Sequence, residues 1–166
     1  MKTCIAYYSK VGNTEIAAKY LAKKLGANII KIEDKTSYKG LLGFIKGGMN
    51  ASKVKTAKLD HSVYSEIESY DRIVLATPVW AGKTTPAMNA ILENVNFSGK
   101  EVYVMTTQAM PTAKDTEERV KFYQEKIGKT KGQLVQCFSL QGSAPGKPPR
   151  SKEDLARQVY ELVNIE

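Results

Sequence analysis

Five short apolar runs recur along the chain, and each is separated from the next by a longer stretch of helical spacing. This alternation restricts the possible folds more than any other feature of the sequence. The runs are residues 3–8, 28–32, 72–76, 101–106 and 133–140. Between them, Ala17, Tyr20, Leu21 and Leu25 share one helix face. Met88, Ile91, Leu92 and Val95 share a second, and Val120, Tyr123 and Ile127 a third that stops at Gly128. A last helix opens with the Ser151-x-x-Asp154 spacing of a capping box and turns Leu155, Val159 and Leu162 inward. Strands alternating with helices predict parallel βαβ units, hence an α/β fold whose sheet is covered on both faces. Only the interval after the second run is irregular. With 166 residues, the expectation is a single domain over 1–166, long enough to bury a core without disulfides or metals.

In such sheets ligands collect beyond the carboxyl ends of the strands, so the turns after runs one, three and four are the candidate site. The first turn is Ser9-Lys10-Val11-Gly12-Asn13-Thr14. Gly12 can take a backbone conformation that other residues resist. The hydroxyls of Ser9 and Thr14, the Asn13 amide and the free N–H groups of a following helix can converge on one anion. The residues alone leave open a plain N-cap turn.

The second turn, within LATPVWAGKTTP, contains a Gly-Lys-Thr ending that resembles a triphosphate-binding loop. That loop needs glycine where Thr77 stands. Pro78 has no N–H to give a phosphate, and Val79 and Trp80 are bulky where a phosphate cradle needs close backbone approach. What this turn does offer is a flat aromatic, Trp80, followed by the permissive Ala81-Gly82 peptide. Those residues suit a planar ring better than a triphosphate.

Composition narrows the class further. No apolar run approaches the length of a membrane span, and no signal peptide is evident, so the expected compartment is the cytoplasm. One histidine, His61, without a cysteine cluster, argues against zinc. Cys4 and Cys137 each lie in a strand-like run and read as small buried hydrophobes. The formal net charge of +8 points to an anionic partner rather than to a fold.

YYSKVGNT after the first run, taken with TPVWAGKTTPAM after the third, resembles the flavodoxin family over nearly the whole chain. The resemblance implies a doubly wound three-layer sandwich with a parallel sheet of order 2-1-3-4-5, binding FMN non-covalently. By this likeness Ser9, Lys10, Val11, Gly12, Asn13 and Thr14 surround the FMN phosphate. Thr77, Pro78, Val79, Trp80, Ala81 and Gly82 border the isoalloxazine ring, with Trp80 stacked on one face. Thr106, Thr107, Gln108, Ala109 and Met110 approach from the other side, where Met110 is the nearest cover and no aromatic completes a sandwich. Family members usually carry threonine or serine where this chain has Val11, so one phosphate hydroxyl is lost. The implied strand order puts the two cysteines three strand spacings apart, roughly 14 Å. A disulfide tolerates about 7 Å between Cα atoms, so both should stay reduced.

The resemblance implies a small soluble electron carrier working between redox proteins. The alternative is an FMN-dependent NAD(P)H or quinone reductase, or an oxidase passing electrons to a membrane quinone. A third reading is a non-redox relative of the fold. A receiver domain is disfavoured because Tyr7-Tyr8-Ser9, not an acidic pair, ends the first run. Segment 35–59 carries Lys35, Lys39, Lys46, Lys53, Lys55 and Lys58 and no acidic residue, interleaved with Leu41, Leu42, Phe44, Ile45 and Met49. It reads as a solvated face or as a docking surface for an acidic redox partner. The glycines at 40, 43, 47 and 48 weaken a membrane-surface helix, and no recognition motif accompanies the charge to indicate nucleic acid.

Overall fold

The computed structural model describes residues 1–35, 48–50, 53 and 55–165. Its strands are β1 (Thr3–Tyr7), β2 (Asn28–Lys31), β3 (Arg72–Pro78), β4 (Glu101–Gln108) and β5 (Gln133–Gln141). Its helices are α1 (Asn13–Leu25), α2 (Ser62–Glu68), α3 (Pro86–Asn94), α4 (Ala113–Gly128) and α5 (Lys152–Leu162). Among the described residues the strands form one parallel sheet of order β2-β1-β3-β4-β5. This is the 2-1-3-4-5 order that the sequence resemblance implies.

The alternation of side chains along each strand builds the two outer layers. Ile5, Tyr7, Val74, Ala76, Tyr103 and Met105 face Ala17, Ala18 and Leu21 of α1 and Val159 of α5. Cys4, Ala6, Ile73, Leu75, Val102 and Val104 face Ile67 of α2, Met88 and Ile91 of α3, and Tyr123 and Ile127 of α4. Because both faces are covered, the central strands are apolar at nearly every position. Each fully buried leucine or isoleucine contributes about 1.5–3 kcal/mol. Cys4 and Cys137 lie on β1 and β5 with β3 and β4 between them, and both are free thiols. Burial, with Glu66 adding to it, pushes the Cys4 thiol up to about 12.

Four details differ from the sequence expectation. Strands β3 and β4 each run two residues further than expected. Thr77, Pro78, Thr106, Thr107 and Gln108 are therefore strand residues, held by the pairs Thr77↔Thr106, Pro78↔Thr107 and Gln108↔Gln141. The irregular interval contains α2, started by Asp60, whose carboxylate accepts from both the N–H and the hydroxyl of Ser62. Leu162 is half exposed, because α5 ends there and Val163 turns into the core in its place. Of the capping box at Ser151, the hydroxyl arm forms, accepting from the Asp154 N–H. The Asp154 carboxylate takes Arg150, Arg157 and Gln158 instead, and the two arginines hold it below the usual carboxylate range.

Candidate functional site

The carboxyl ends of β1, β3 and β4 lie side by side, and hydrogen bonds beyond the regular ladder tie their turns together. Tyr8 N–H donates to Ala76 O at 2.9 Å and Val79 N–H to Thr107 O at 3.0 Å. Gly142 N–H donates to Gln108 O at 2.8 Å, so the end of β5 joins the same edge.

The first turn is compact. Gly12 sits at φ 105 and N-caps α1, a conformation that strains any residue with a Cβ. Its N–H donates to Ser9 Oγ at 3.2 Å. The N-cap residue Gly12 has no side chain to cap α1, so among the described residues no N-cap side chain competes with an anion for the helix's first N–H groups and the positive end of its dipole. The hydroxyl of Thr14, a residue 1 % exposed, meets the Thr107 hydroxyl at 2.7 Å, joining the first turn to the end of β4. The Asn13 side chain turns the other way. Its Nδ2 donates to Ser143 Oγ at 2.7 Å and its Oδ1 accepts from Arg150 N–H at 2.9 Å. Val11 is half exposed.

The second turn is a two-residue hairpin. Trp80 N–H donates to Lys83 O and Lys83 N–H to Trp80 O, both at 2.9 Å. Ala81 at φ 48 and Gly82 at φ 73 are its central residues, the positive pair of a type I′ turn. Trp80 is half-buried, with Tyr8 edge-on at 5.7 Å between centroids and Lys10 Nζ at 5.5 Å from its ring. Lys10 is thus drawn to the ring side of the site. Partial burial lowers its ammonium from the ordinary lysine value. Gly82 and Lys83 of the Gly-Lys-Thr ending belong to this hairpin, and the helix starts only after it, at Thr85. Thr85 accepts from Met88 N–H at 3.3 Å as N-cap of α3, Pro86 follows it, and its hydroxyl meets Thr77 Oγ1 at 3.0 Å.

The third edge is more open. Thr106 Oγ1 bonds within the sheet, to Phe138 O at 3.2 Å, and faces Ser139 at 3.1 Å. Ala109 O accepts from Gln141 Nε2 at 3.3 Å. Met110 is 79 % exposed. Gln108 Nε2 is buried and has no hydrogen-bond partner among the described residues. Of segment 35–59, residues 36–47, 51, 52 and 54 lie outside the described residues, and with them Lys39, Lys46, Leu41, Leu42, Phe44 and Ile45. Its described lysines, Lys35, Lys53, Lys55 and Lys58, are exposed, and a Cβ placed on Gly48 would lie 4.0 Å from Ala81 Cβ.

The donor set fits a phosphorylated planar ligand. Open helix N–H groups, two paired hydroxyls and a glycine turn stand at one end, and an aromatic with a neighbouring cation at the other. The orphaned Gln108 amide is a buried donor awaiting an acceptor. Sequence reasoning did not assign Tyr8, Thr85, Ser143 or Arg150 to the site. Thr85 followed by Pro86 was the legible signal among them.

A family model described as Flavodoxin matches residues 2–141. Oxidised flavodoxin 1 of Bacillus cereus overlays at a TM-score of 0.58 and 16% identity, covering 96% of this chain and 93% of that one. A flavoprotein of Lactobacillus acidophilus NCFM, solved in complex with FMN, overlays at 0.63 and 20% identity, covering 83% and 92%. The Trp repressor binding protein of Bacillus subtilis overlays at 0.64 and 13% identity, covering 99% and 100%. At these identities the likeness speaks for the fold. A search of curated proteins gives no match.

Proposed function

The chain belongs to the flavodoxin family, and from that premise we propose that it binds FMN and carries electrons between redox proteins. The observation that carries this reading is the joining of two turns and the end of β4 at one sheet edge, Thr14 to Thr107 by hydroxyls at 2.7 Å and Lys10 to Trp80 at 5.5 Å. One end of that edge suits a phosphate and the other a flat ring. When bound, FMN supplies one- and two-electron redox chemistry.

The chain's own residues do the rest. The first N–H groups of α1 and the Thr14 hydroxyl hold the phosphate dianion, with the helix dipole adding to the attraction. Val11 contributes no hydroxyl, and Thr107, behind Thr14, orients the one that remains. Trp80 offers its ring for stacking, and Tyr8 braces it edge-on. Lys10 brings a positive charge to that ring side and favours negative charge there. The Ala81-Gly82 peptide supplies a carbonyl whose direction is set by two residues at positive φ. The surface around this edge is suited to an acidic partner, since the turns 9–12, 79–85 and 109–112 contain Lys10 and Lys83 and no carboxylate. The described residues contain no helix long and apolar enough to cross a membrane.

A second reading, an FMN-dependent NAD(P)H or quinone reductase, is favoured by one observation. Met110, at the end of the third edge, is 79 % exposed, and a ring face beside a side chain held so little would admit a second substrate. Anaerobic dithionite titration of the FMN-loaded protein, followed by visible absorbance, tests the carrier. Two resolved one-electron transitions support it. A single two-electron bleach, together with steady NAD(P)H oxidation in the presence of a quinone, supports the reductase. Absence of any FMN uptake would sink both.

A further inference from the structure

Residues 143–150, Ser-Ala-Pro-Gly-Lys-Pro-Pro-Arg, form a strap across the outer side of the first turn. The strap is stiff by composition, with prolines at 145, 148 and 149. It is stiff by geometry as well. Lys147 N–H donates to Ala144 O at 3.1 Å, and Gly146 sits at φ 75 after Pro145, the arrangement of a type II turn. Both its ends are fastened to the site through one side chain. Asn13, 5 % exposed, donates to Ser143 Oγ at 2.7 Å and accepts from Arg150 N–H at 2.9 Å. Between those ties, Pro149 lies against Gly12, where an added Cβ would sit 3.5 Å from Pro149 Cγ. Gly142, just before the strap, is hydrogen-bonded to Gln108 O and packs on the Asn13 amide.

We propose that the strap is an outer wall of the phosphate subsite, and that Asn13 is a positioning residue that clamps it there. The proposal rests on the FMN reading above and changes the task of Asn13 within it. Its amide oxygen and one amide hydrogen serve the strap, so its main effect on a phosphate monoester is indirect. Pro149 beside Gly12 helps keep the turn in its positive-φ conformation, with the first N–H groups of α1 presented together. A wall on that side also thins the water around the anion, and the attraction of the helix end grows as the local dielectric falls. Because the prolines order the strap beforehand, little further entropy is lost when a phosphate arrives. The strap's charges agree with this role. It carries Lys147 and Arg150 and no carboxylate, and Arg150 is balanced by Asp154 of α5.

The test compares FMN with riboflavin, which lacks the phosphate, by fluorescence titration of wild type, Ser143→Ala, Ser143→Thr and Asn13→Ala. Amide hydrogen exchange of residues 12–15 in the flavin-free protein is measured alongside. Ser143→Ala removes one clamp and leaves Asn13 in place. FMN affinity is expected to fall about fivefold, the order of one net hydrogen bond, with riboflavin affinity unchanged and exchange at 12–15 accelerated. Ser143→Thr restores both, and Asn13→Ala exceeds Ser143→Ala in the same direction. Equal losses for the two flavins, or unchanged FMN affinity in Ser143→Ala, would overturn the strap alone and leave the FMN reading standing. A wild-type protein that takes up neither flavin would overturn the FMN reading, and the strap with it.

Discussion

The first and second turns stand on the same sheet edge and are built in opposite ways. At Ser9–Thr14 the described polar side chains are tied to neighbours. Ser9 accepts from Gly12, Asn13 spans Ser143 and Arg150, and Thr14 meets Thr107. At Trp80–Lys83 the turn closes on its own two backbone hydrogen bonds, its central residues are exposed, and both sit at positive φ. A rigid anchor suits a group that binds and does not react. A peptide that few of the described residues contact would suit the end where charge changes, because reorienting it disturbs little among them. On the proposed FMN reading, the contrast divides the site into a holding half and a responding half.

The largest way to disturb that division is at the ring. Trp80→Ala is expected to weaken FMN and riboflavin alike, on the order of 10- to 100-fold, as removal of one stacking aromatic does elsewhere. Isothermal titration with each flavin checks it, and a loss confined to FMN would mean Trp80 belongs to the phosphate half. Gly12→Ala acts on the other half. Its φ of 105 imposes strain of about 1–3 kcal/mol on any side chain. FMN affinity should fall roughly tenfold with riboflavin little changed, alongside a lower midpoint in urea.

Lys10→Gln probes the responding half electrically. Removing the cation beside Trp80 is expected to lower the midpoint potential of the bound flavin by roughly 10–30 mV, a figure already discounted for solvent screening. A spectroelectrochemical titration reads it directly, and an unchanged potential would place Lys10 outside the ring's field. Ala81→Gly is the smallest change. It relieves left-handed strain of about 1–2 kcal/mol and adds unfolded-chain entropy of about 0.4–1 kcal/mol. The net expectation is about 0.5 kcal/mol of added stability in chemical denaturation. A destabilised variant would mean that the Ala81 methyl makes a contact worth more than the strain.

The strand–helix alternation and the first turn were legible because each rests on a local pattern: apolar runs at intervals, and a glycine between polar residues at a strand-to-helix junction; the strand order was implied only by the family resemblance. The lengths of β3 and β4 were less so. Pro78 reads as a strand terminator, yet it pairs with Thr107 at the end of the ladder, where one missing N–H costs little. Leu162 fits the helical period of α5, but the helix ends there, so Val163 takes the buried position instead. Residues 143–150 read as a loop before the last helix, and their place at the site was illegible for a different reason. Residues 143–150 have the composition of any surface loop, and only the tertiary contact with Asn13, 130 residues away from Ser143, gives them a place in the site. Long-range pairing of this kind leaves no periodic trace in the sequence.

The most direct test of the two-half site is fluorescence titration of Thr14→Ala with FMN and with riboflavin. The Thr14 hydroxyl belongs to the holding half alone, so FMN affinity should drop about tenfold, the order of a hydrogen bond to a charged group, while riboflavin binds as in wild type. Equal losses for both flavins, or none for FMN, would contradict the assignment of the first turn to the phosphate.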